Sequence, residues 1–359
     1  MAVQVCVVGV GNIGFNLLTS LRRRGVRAVG VEINPDRRAA LAAAGVDGVF
    51  AGPDEAGEVD VWIITTSTGP ELSHILSAVR AISPKPGSLV SIESTLPVGG
   101  TARLAEAFRE RGFAPGEGFH LAHVPHRILF GVEESVFDAP RVVAGVTPAC
   151  RDAALAFYGP LVPQLYPVDD VRVAELSKIV ENGLRYLNVA FAEALFGYCL
   201  EQGLDWAQLH GAVNTKPNVE LLNVDFGIGG ECLPKDVGFL QEAMQSPLLA
   251  AAIAADEAHR ERLRRLAGPH LRILLKGLTF KPGYPDVRFS RALELARDLA
   301  AGGKAVYVYD PALGPEQVEK LGFRWGEPDG AYDLVYERPL AIRITEEDDR
   351  RGQDTGDGQ

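Results

Sequence analysis

Apolar and polar positions alternate in blocks along the first part of the chain, and the blocks predict strands that alternate with helices. Apolar runs such as VQVCVVGVG and VDVWIITTS predict buried strands, and NIGFNLLTSLRRRG repeats apolar residues at helical spacing. This order is typical of a parallel sheet with helices on both faces, an α/β fold. We therefore assign residues 1–150 to an N-terminal Rossmann domain.

A long helix is predicted after this domain. Residues 171–203 contain no proline, carry apolar residues at helical spacing and stop at a glycine. A helix of about 30 residues is about 45 Å long, so it can bridge two domains or form a dimer seam. We assign residues 151–267 to a central region built on this helix.

The strand and helix pattern returns near the C-terminal end. LRILLKGLTF and KAVYVYDP predict strands, and RALELARDLAAGG predicts a helix between them. Residues 268–345 are therefore expected to form a shortened, Rossmann-like C-terminal domain. Residues 346–359 are polar and acidic without an apolar period, and we predict that they are disordered.

Composition narrows the classes of function. The formal net charge of −11 disfavours nucleic acid as a partner, because phosphate binding needs a basic surface. The apolar runs are far shorter than the roughly 20 residues of a membrane span, and no charged leader precedes the first strand. We expect a cytoplasmic protein with no membrane partner. The four cysteines lack CxxC spacing, so we expect neither disulfides nor a metal site.

Glycines after the first strand form a dinucleotide-binding pattern. Gly9 permits a tight turn, Gly11 lets a pyrophosphate approach and Gly14 permits close helix packing at a helix N-terminus that favours negative charge. Glu32 ends the next strand, where a carboxylate accepts from ribose hydroxyls and repels a 2′-phosphate. NAD is the expected cofactor, and its predicted contacts are Gly9, Gly11, Asn12, Ile13, Gly14 and Glu32.

The stretch GIGGECLPKD, residues 227–236, raises the question of whether Cys232 is a nucleophile. A thiolate needs positive charge or backbone amide donors at neutral pH, and Lys235 with the preceding glycines supplies both. The alternative is a buried, unreactive cysteine, which we expect for Cys6 and Cys199. Lys178 and Asn182, four apart on the long helix, share one face that is either solvated or part of a site.

Several stretches together resemble the nucleotide-sugar 6-dehydrogenases, the family of UDP-glucose, GDP-mannose and UDP-N-acetylmannosamine dehydrogenases. They are VVGVGNIG, ESTLPVGGT, AELSKIVENGLRYLNVAFAEAL, GIGGECLPKD and GLTFKPGYPDVRFS, and they occur in the family's order. The resemblance implies NAD-dependent oxidation of the C6 primary alcohol of a nucleotide sugar to the uronic acid, with a UDP-sugar favoured over a GDP-sugar. It also implies a homodimer through the long helix.

The same resemblance implies roles for single residues. Cys232 would attack the intermediate aldehyde to give a thiohemiacetal and then a thioester. Lys178 and Asn182 would stabilise oxyanions, Asp236 would orient or deprotonate a proton-transferring group, and Thr95 would help to position water. Arg288 would lie near the cofactor phosphates. The predicted substrate contacts are Lys178, Asn182, Lys216, Gly229 and Lys281.

Departures from the family pattern fall around the substrate. His126 stands where the family has a glutamate that is a proposed base in thioester hydrolysis, and Phe130 stands at the later glutamate position. His126 would replace that base, or hydrolysis would be impaired. Lys216 replaces an arginine, and Glu231 precedes the cysteine where His or Ser is usual.

Two other functions stay open at this point. A single-step β-hydroxyacid dehydrogenase would share the Rossmann domain and a helix with Lys178 and Asn182, but it would not need Cys232. A degenerate NAD-binding protein without enzymatic activity would account for His126, Glu231 and the short C-terminal domain.

Overall fold

The computed structural model describes residues 3–127 and 136–344. The chain divides into two compact units, residues 1–181 and 182–359. The boundaries expected at residues 150 and 267 remain predictions. The tail at 346–359 and Phe130 lie outside the described residues.

The described part of the first unit is built around a mainly parallel sheet. Its strands are β1 Gln4–Val8, β2 Arg27–Val31, β3 Val49–Phe50, β4 Val61–Ile64, β5 Leu89–Ile92, β6 His120–His123, β7 Arg141–Gly145 and β8 Leu165–Pro167. In space they follow the order β3-β2-β1-β4-β5-β6-β7-β8. Neighbouring strands are parallel except β6 and β7, so most loops that follow a strand meet at one edge of the sheet.

Helices cover both faces of this sheet because alternate strand residues point to opposite sides. Val7 belongs to the apolar cluster that includes Leu17, whereas Cys6 belongs to the cluster on the other side with Ile75. The helices are α1 Asn12–Arg23, α2 Pro35–Ala43, α3 Ser73–Ala81, α4 Gly100–Arg109 and α5 Pro148–Tyr158, with short 3₁₀ turns at Pro53–Ala56 and Pro70–Leu72.

The predicted long helix is α6, Val171–Gln202, with 32 residues. Its first turn is capped by Asp170, whose carboxylate accepts the Arg172 amide at 2.9 Å. Its last turn ends at Gly203 with φ +65°, and the Leu204 amide donates to the Cys199 carbonyl at 2.8 Å, a Schellman ending. Both ends therefore follow from local sequence. The unit boundary falls inside this helix.

The second unit combines helices with a smaller sheet. Its helices are α7 Trp206–Val213, α8 Cys232–Met244, α9 Pro247–Ala267, α10 Arg291–Ala301 and α11 Pro315–Lys320. Its strands are β9 Arg272–Lys276, β10 Ala305–Tyr309, β11 Arg324–Trp325, β12 Leu334–Glu337 and β13 Ala341–Ile344, in the order β11-β10-β9-β12-β13. One face carries the larger apolar cluster, with Ile273, Val308 and Leu295, and the other carries a small cluster around Leu274 and Tyr332.

The predicted fold class is confirmed: a Rossmann unit, a long helix and a smaller C-terminal α/β sheet. Within residues 3–127 and 136–344, no helix is long and apolar enough to cross a membrane.

Candidate active site

The carboxyl edge of the large sheet gathers most of the predicted site residues of the first unit, whereas Lys178 lies on α6. The glycine loop follows β1, Thr95 follows β5 and His126 follows β6. These strands run in the same direction, so their following loops lie along one edge, where ligands bind in open α/β sheets.

The glycine loop has the geometry that a dinucleotide requires. A Cβ on Gly9 (φ +91°) would lie 2.9 Å from the Thr66 amide nitrogen, and a Cβ on Gly14 would lie 2.0 Å from the Gly9 carbonyl oxygen. A Cβ on Gly11 would meet no atom within 4 Å in the described part of the chain. Gly9 and Gly14 are thus required by packing, whereas Gly11 leaves open space in front of the amides of α1. Asn12 and Ile13 begin that helix.

Glu32 lies where a ribose-binding carboxylate belongs, directly after β2. Its carboxylate accepts the Asn34 amide at 2.9 Å, which orients the side chain. Arg37 donates to the Val10 carbonyl at 3.1 Å and so ties the start of α2 to the glycine loop. These residues fit an NAD molecule, whose pyrophosphate would lie at the N-terminus of α1 and whose ribose would lie at Glu32.

A buried carboxylate, Glu93, organises the loop that follows β5. Its oxygens accept from Arg141 at 2.6 Å and Tyr158 at 2.7 Å, and His126 Nδ1 lies 2.6 Å away. Burial alone would raise the pKa of Glu93, but the charge of Arg141 and the hydrogen bond with His126 hold it at about 2. The His126 side chain is 4% exposed, so it is an interior group rather than a surface base.

Hydrogen bonds within the first unit hold the loop that carries Thr95 and the helix that carries Lys178. Thr95 is half-buried, and its carbonyl accepts from the Thr68 hydroxyl at 2.6 Å. Glu175, one turn before Lys178 on α6, is fully buried and accepts the amides of Gly99 and Thr101, both at 2.7 Å. Its carboxylate thereby caps the N-terminus of α4 and ties α6 to the loop that carries Thr95.

In the second unit, Cys232 is half-buried at the first position of α8. The glycine-rich loop before it is held by backbone contacts: Asp256 accepts the Ile228 amide at 2.8 Å, and the Gly230 amide donates to the Phe289 carbonyl at 3.0 Å. A Cβ on Gly229 would lie 2.8 Å from that same carbonyl oxygen. Gly229, a predicted substrate contact, is therefore also required by packing.

Asn182 and Asp236 meet in the second unit as members of one network. Asp236 is fully buried and accepts from the Asn182 amide at 2.5 Å on one oxygen and from the Lys235 ammonium on the other. The Lys235 ammonium also lies 4.9 Å from the centre of the Phe239 ring. Asn182 and Asp236 thus form one polar group rather than part of a solvated helix face.

The remaining predicted ligand contacts are on the surface of the second unit. Lys216 and Lys281 are exposed, and Lys281 pairs with Tyr284 in an isolated bridge. Arg288 is exposed and bonded to Asp286 through two nitrogens, Nε at 3.0 Å and Nη2 at 2.6 Å. Their contacts with ligands remain predictions.

Comparisons with known proteins agree with this geometry. Family models match residues 172–258 (UDP-glucose/GDP-mannose dehydrogenase family, central domain), residues 274–355 (the UDP binding domain of the same family) and residues 4–115 (NAD binding domain of 6-phosphogluconate dehydrogenase). The chain is 31% identical over 338 residues to an NDP-N-acetyl-D-galactosaminuronic acid dehydrogenase of Ralstonia nicotianae, covering 82% of this chain and 79% of the relative. The chain belongs to the UDP-glucose/GDP-mannose dehydrogenase family.

Other members of the family are similar over most of their length. The UDP-N-acetyl-D-mannosamine dehydrogenase of Escherichia coli is 29% identical over 345 residues, with 82% of each chain covered. The solved structure of a UDP-D-ManNAc dehydrogenase from Pyrococcus horikoshii matches with a TM-score of 0.75 and 26% identity, over 86% of this chain and 84% of that one. The predicted family and enzyme class are confirmed, and NAD is the cofactor of this dehydrogenase.

Sequence reasoning missed several residues of these sites. Glu93 and Glu175 lie inside the quoted stretches ESTLPVGGT and AELSK, and Asp310 belongs to VYDP. Asp310 accepts the amides of Leu278 at 2.7 Å and Thr279 at 2.8 Å, and so holds the GLTF loop. One feature of the sequence could have identified these residues: each is a charged residue at the end of an apolar strand or within an apolar helix.

Glu193, on α6, is fully buried, whereas Arg185 on the same helix is exposed. Neither Glu193 carboxyl oxygen has a hydrogen-bond partner among the described residues. Burial and the nearby charge of Asp256 raise the pKa of Glu193 to about 9. Glu193 is therefore protonated at neutral pH. It lies near Asp256 of α9, the residue that binds the glycine-rich loop before Cys232.

Two glycine variants separate cofactor binding from folding. Gly11→Ala should weaken NAD binding at least about tenfold while leaving the melting temperature unchanged, because the new methyl group occupies space reserved for the pyrophosphate. Gly14→Ala should lower the free energy of unfolding by about 2 kcal/mol or more, because its methyl group collides with the Gly9 carbonyl. Calorimetry of NAD binding and thermal unfolding measure both effects. Unchanged NAD affinity in Gly11→Ala would contradict this assignment.

Glu193→Gln should change how stability depends on pH. The pKa is about 9 in the folded chain and about 4.3 when unfolded. The unfolded state therefore loses its proton first, and wild-type stability falls as pH rises between these values, by up to about 1.4 kcal/mol per pH unit. The Gln variant lacks this loss, so its stability relative to wild type should be higher at pH 8 than at pH 5. Thermal unfolding at both pH values tests this, with Glu242→Gln on the exposed side of α8 as the control.

Proposed function

We propose that this dehydrogenase oxidises the C6 primary alcohol of a UDP-sugar to the carboxylate, forming two NADH for each sugar. The observation that carries the proposal is Cys232, half-buried at the N-terminus of α8 in a unit that also holds the Asn182 and Asp236 pair. The match of residues 274–355 to the family's UDP binding domain favours a UDP-sugar over a GDP-sugar. Two relatives named for N-acetylated sugars favour a 2-acetamido sugar.

The residues divide the reaction into two oxidations and a hydrolysis. When bound, NAD would supply the hydride acceptor for both oxidations, that of the alcohol and that of the thiohemiacetal. Between these oxidations the Cys232 thiolate would add to the aldehyde carbon: the C–S bond forms, the π bond of the carbonyl opens to an oxyanion, and a proton completes the thiohemiacetal. A single-step enzyme would have no use for a cysteine that begins a helix behind a fixed glycine-rich loop.

Charged and polar side chains stabilise the oxygen that changes charge in each step. Lys178 and Asn182 would donate to the oxyanion of the alcohol and thiohemiacetal. Asp236 is held by Asn182 and Lys235, so it would orient the group that moves the proton. Lys216 and Lys281 would bind the sugar nucleotide, and Arg288 would lie near the cofactor phosphates.

Hydrolysis of the thioester needs a water and a base. Water would attack the acyl carbon, a C–O bond would form, the C–S bond would break, and the Cys232 thiolate would be regenerated. Thr95 would position the water and His126 would take its proton, in place of the glutamate that the family has at that position.

Removal of Cys232 is the direct test of this reaction course. The wild type should form two NADH and one carboxylate product per UDP-sugar. Cys232→Ala should form at most one NADH and no acid, because the aldehyde has no thiol to capture it. NADH absorbance and mass spectrometry of the product, over a panel of UDP- and GDP-sugars, measure this. Cys199→Ala, at a fully buried position of α6, is the matched control and should keep two NADH. Two NADH from Cys232→Ala would overturn the proposal.

We also propose that the enzyme is a homodimer through α6. Leu184, Phe191 and Tyr198 recur every seven residues on one side of the helix and are 59%, 62% and 55% exposed. A repeat of seven keeps apolar groups along one seam, and a second copy of the same helix offers a matching surface.

Phe191→Lys should dissociate this dimer, because it places a charge in the apolar seam. Sedimentation or light scattering should give twice the chain mass for the wild type and the chain mass for the variant. Leu248→Lys, which changes an exposed leucine on α9, should leave the mass unchanged. A monomeric wild type would refute the dimer.

A further inference from the structure

The buried side chains around Glu93 include one more hydrogen-bonding group, His126, than a buried ion pair with Arg141 requires. The Glu93 carboxylate already has two strong donors, the Arg141 guanidinium at 2.6 Å and the Tyr158 hydroxyl at 2.7 Å. These satisfy its charge and one hydrogen bond to each oxygen. His126 adds a further side chain at 2.6 Å, placed there by its own backbone, since the His126 amide donates to the Glu93 carbonyl at 3.1 Å.

The contacts determine which ring nitrogen of His126 carries the proton. Glu93 is ionised, because Arg141 and Tyr158 both donate to it. A carboxylate oxygen and a bare imidazole nitrogen cannot approach to 2.6 Å without a hydrogen between them, so Nδ1 is protonated. The Arg141 Nη2 atom lies 3.2 Å from Nδ1, but a protonated Nδ1 has no lone pair to accept from it, and Nη2 donates to the Val136 carbonyl at 2.7 Å.

The other nitrogen, Nε2, then carries the lone pair in a neutral ring. Burial lowers the pKa of His126, and the charges of Arg141 and Lys178 lower it further, against the opposing effect of Glu93. Nε2 is buried and has no hydrogen-bond partner among residues 3–127 and 136–344. A buried acceptor of this kind is completed by a water or a ligand hydroxyl.

We propose that Glu93 is a positioning residue that holds His126 as the Nδ1–H tautomer, so that Nε2 is the base for the attacking water. This inference rests on the proposed function, since the water it serves is the one that cleaves the thioester. The water proton moves to Nε2 as the C–O bond forms and the C–S bond breaks. The imidazolium, beside Glu93, then returns the proton to solvent. Arg141 keeps Glu93 ionised and the resting imidazole neutral.

Nitrogen NMR of the wild type tests the tautomer without any turnover. Protein with ¹⁵N-labelled histidine contains seven histidines, and His126→Gln assigns the signal of interest. At pH 7, Nδ1 of His126 should be protonated and Nε2 should show the shift of a bare nitrogen. A protonated Nε2 with a bare Nδ1, or a doubly protonated ring, would overturn the proposal.

Glu93→Gln tests the coupling between this tautomer and hydrolysis. The amide keeps the size of the side chain but removes the charge, so His126 becomes a weaker base. Hydrolysis of the Cys232 thioester should slow at least about tenfold, which is part of the roughly 10²–10⁴-fold that a general base typically contributes. The acyl-enzyme should then accumulate in intact-protein mass spectra after the second NADH is formed. Ser91→Ala is the matched control, because it removes a buried hydrogen bond to Tyr158 at 2.8 Å without touching Glu93 or His126.

The pH profile of hydrolysis separates positioning from a merely structural role. Among residues 3–127 and 136–344, the charged groups that act on the pKa of His126 are Arg141, Lys178 and Glu93. Because the folded pKa lies below the ordinary value of about 6.5, the wild-type rate should stay level as pH falls to 6.5 and decline only below it. In Glu93→Gln this decline should move to still lower pH, because the carboxylate no longer favours the imidazolium. A structural defect would lower the rate without moving the decline.

The outcomes distinguish this inference from the proposed function. A thioester that forms and is hydrolysed at the wild-type rate in Glu93→Gln would overturn the role of Glu93 while leaving the Cys232 route intact. One NADH per sugar in the wild type, with no acyl-enzyme, would overturn the Cys232 route itself. If Glu93→Gln fails to fold, the wild-type NMR measurement still decides the tautomer.

Discussion

Buried carboxylates that bind backbone amides or side-chain donors hold the loops of both units in place. Glu175 accepts the amides of Gly99 and Thr101, and Asp256 accepts the amide of Ile228. Asp310 does the same for the GLTF loop. Hydrogen bonds to an ionised acceptor are about twice as strong as neutral ones, and each of these carboxylates is nearly inaccessible to water. Loops that carry residues with proposed roles in substrate binding or catalysis are thus fixed by distant acidic side chains.

The same device explains why glycine-rich segments can be rigid here. Gly229 and Gly230 lack side chains to pack, yet the backbone around them is held by the Phe289 carbonyl and by Asp256. A β-carbon at Gly229 would meet that carbonyl at 2.8 Å, and one at Gly230 would meet the Phe280 ring at 2.7 Å. The chain before Cys232 is therefore tightly packed rather than loose, which suits the proposed role of Cys232 as a nucleophile held in one orientation.

The surroundings of His126 explain why a histidine can replace the glutamate of the family pattern at this position. A carboxylate at this position would lie beside Glu93, and two buried anions close together raise the pKa of one of them. An imidazole avoids this repulsion and makes use of the carboxylate as a hydrogen-bond acceptor. Arg141, which is fully buried, balances the single remaining charge. Histidine thus fits the pocket as a neutral ring, whereas an ionised glutamate would be repelled by Glu93.

Local sequence by itself determined the elements and the cofactor class. The period-2 and helical spacings predicted β1, α1, β2 and α6, because these patterns depend on neighbouring residues, and the glycine pattern after β1 indicated NAD. It also separated Cys232, at the start of α8, from the core residue Cys6.

Tertiary structure alone decided how distant residues meet. His126 and Arg141 reach Glu93 from 33 and 48 residues away, because the order of strands β5, β6 and β7 brings their ends together. Asn182 meets Asp236 across 54 residues, which spacing along α6 does not reveal. The burial of Glu193 could likewise not be predicted from the sequence, because a single carboxylate on a helix is expected to be exposed unless another element packs over it. The sequence determines which chemical group each side chain carries. Whether that group is buried, and which residues it contacts, depends on the surfaces that the fold brings together.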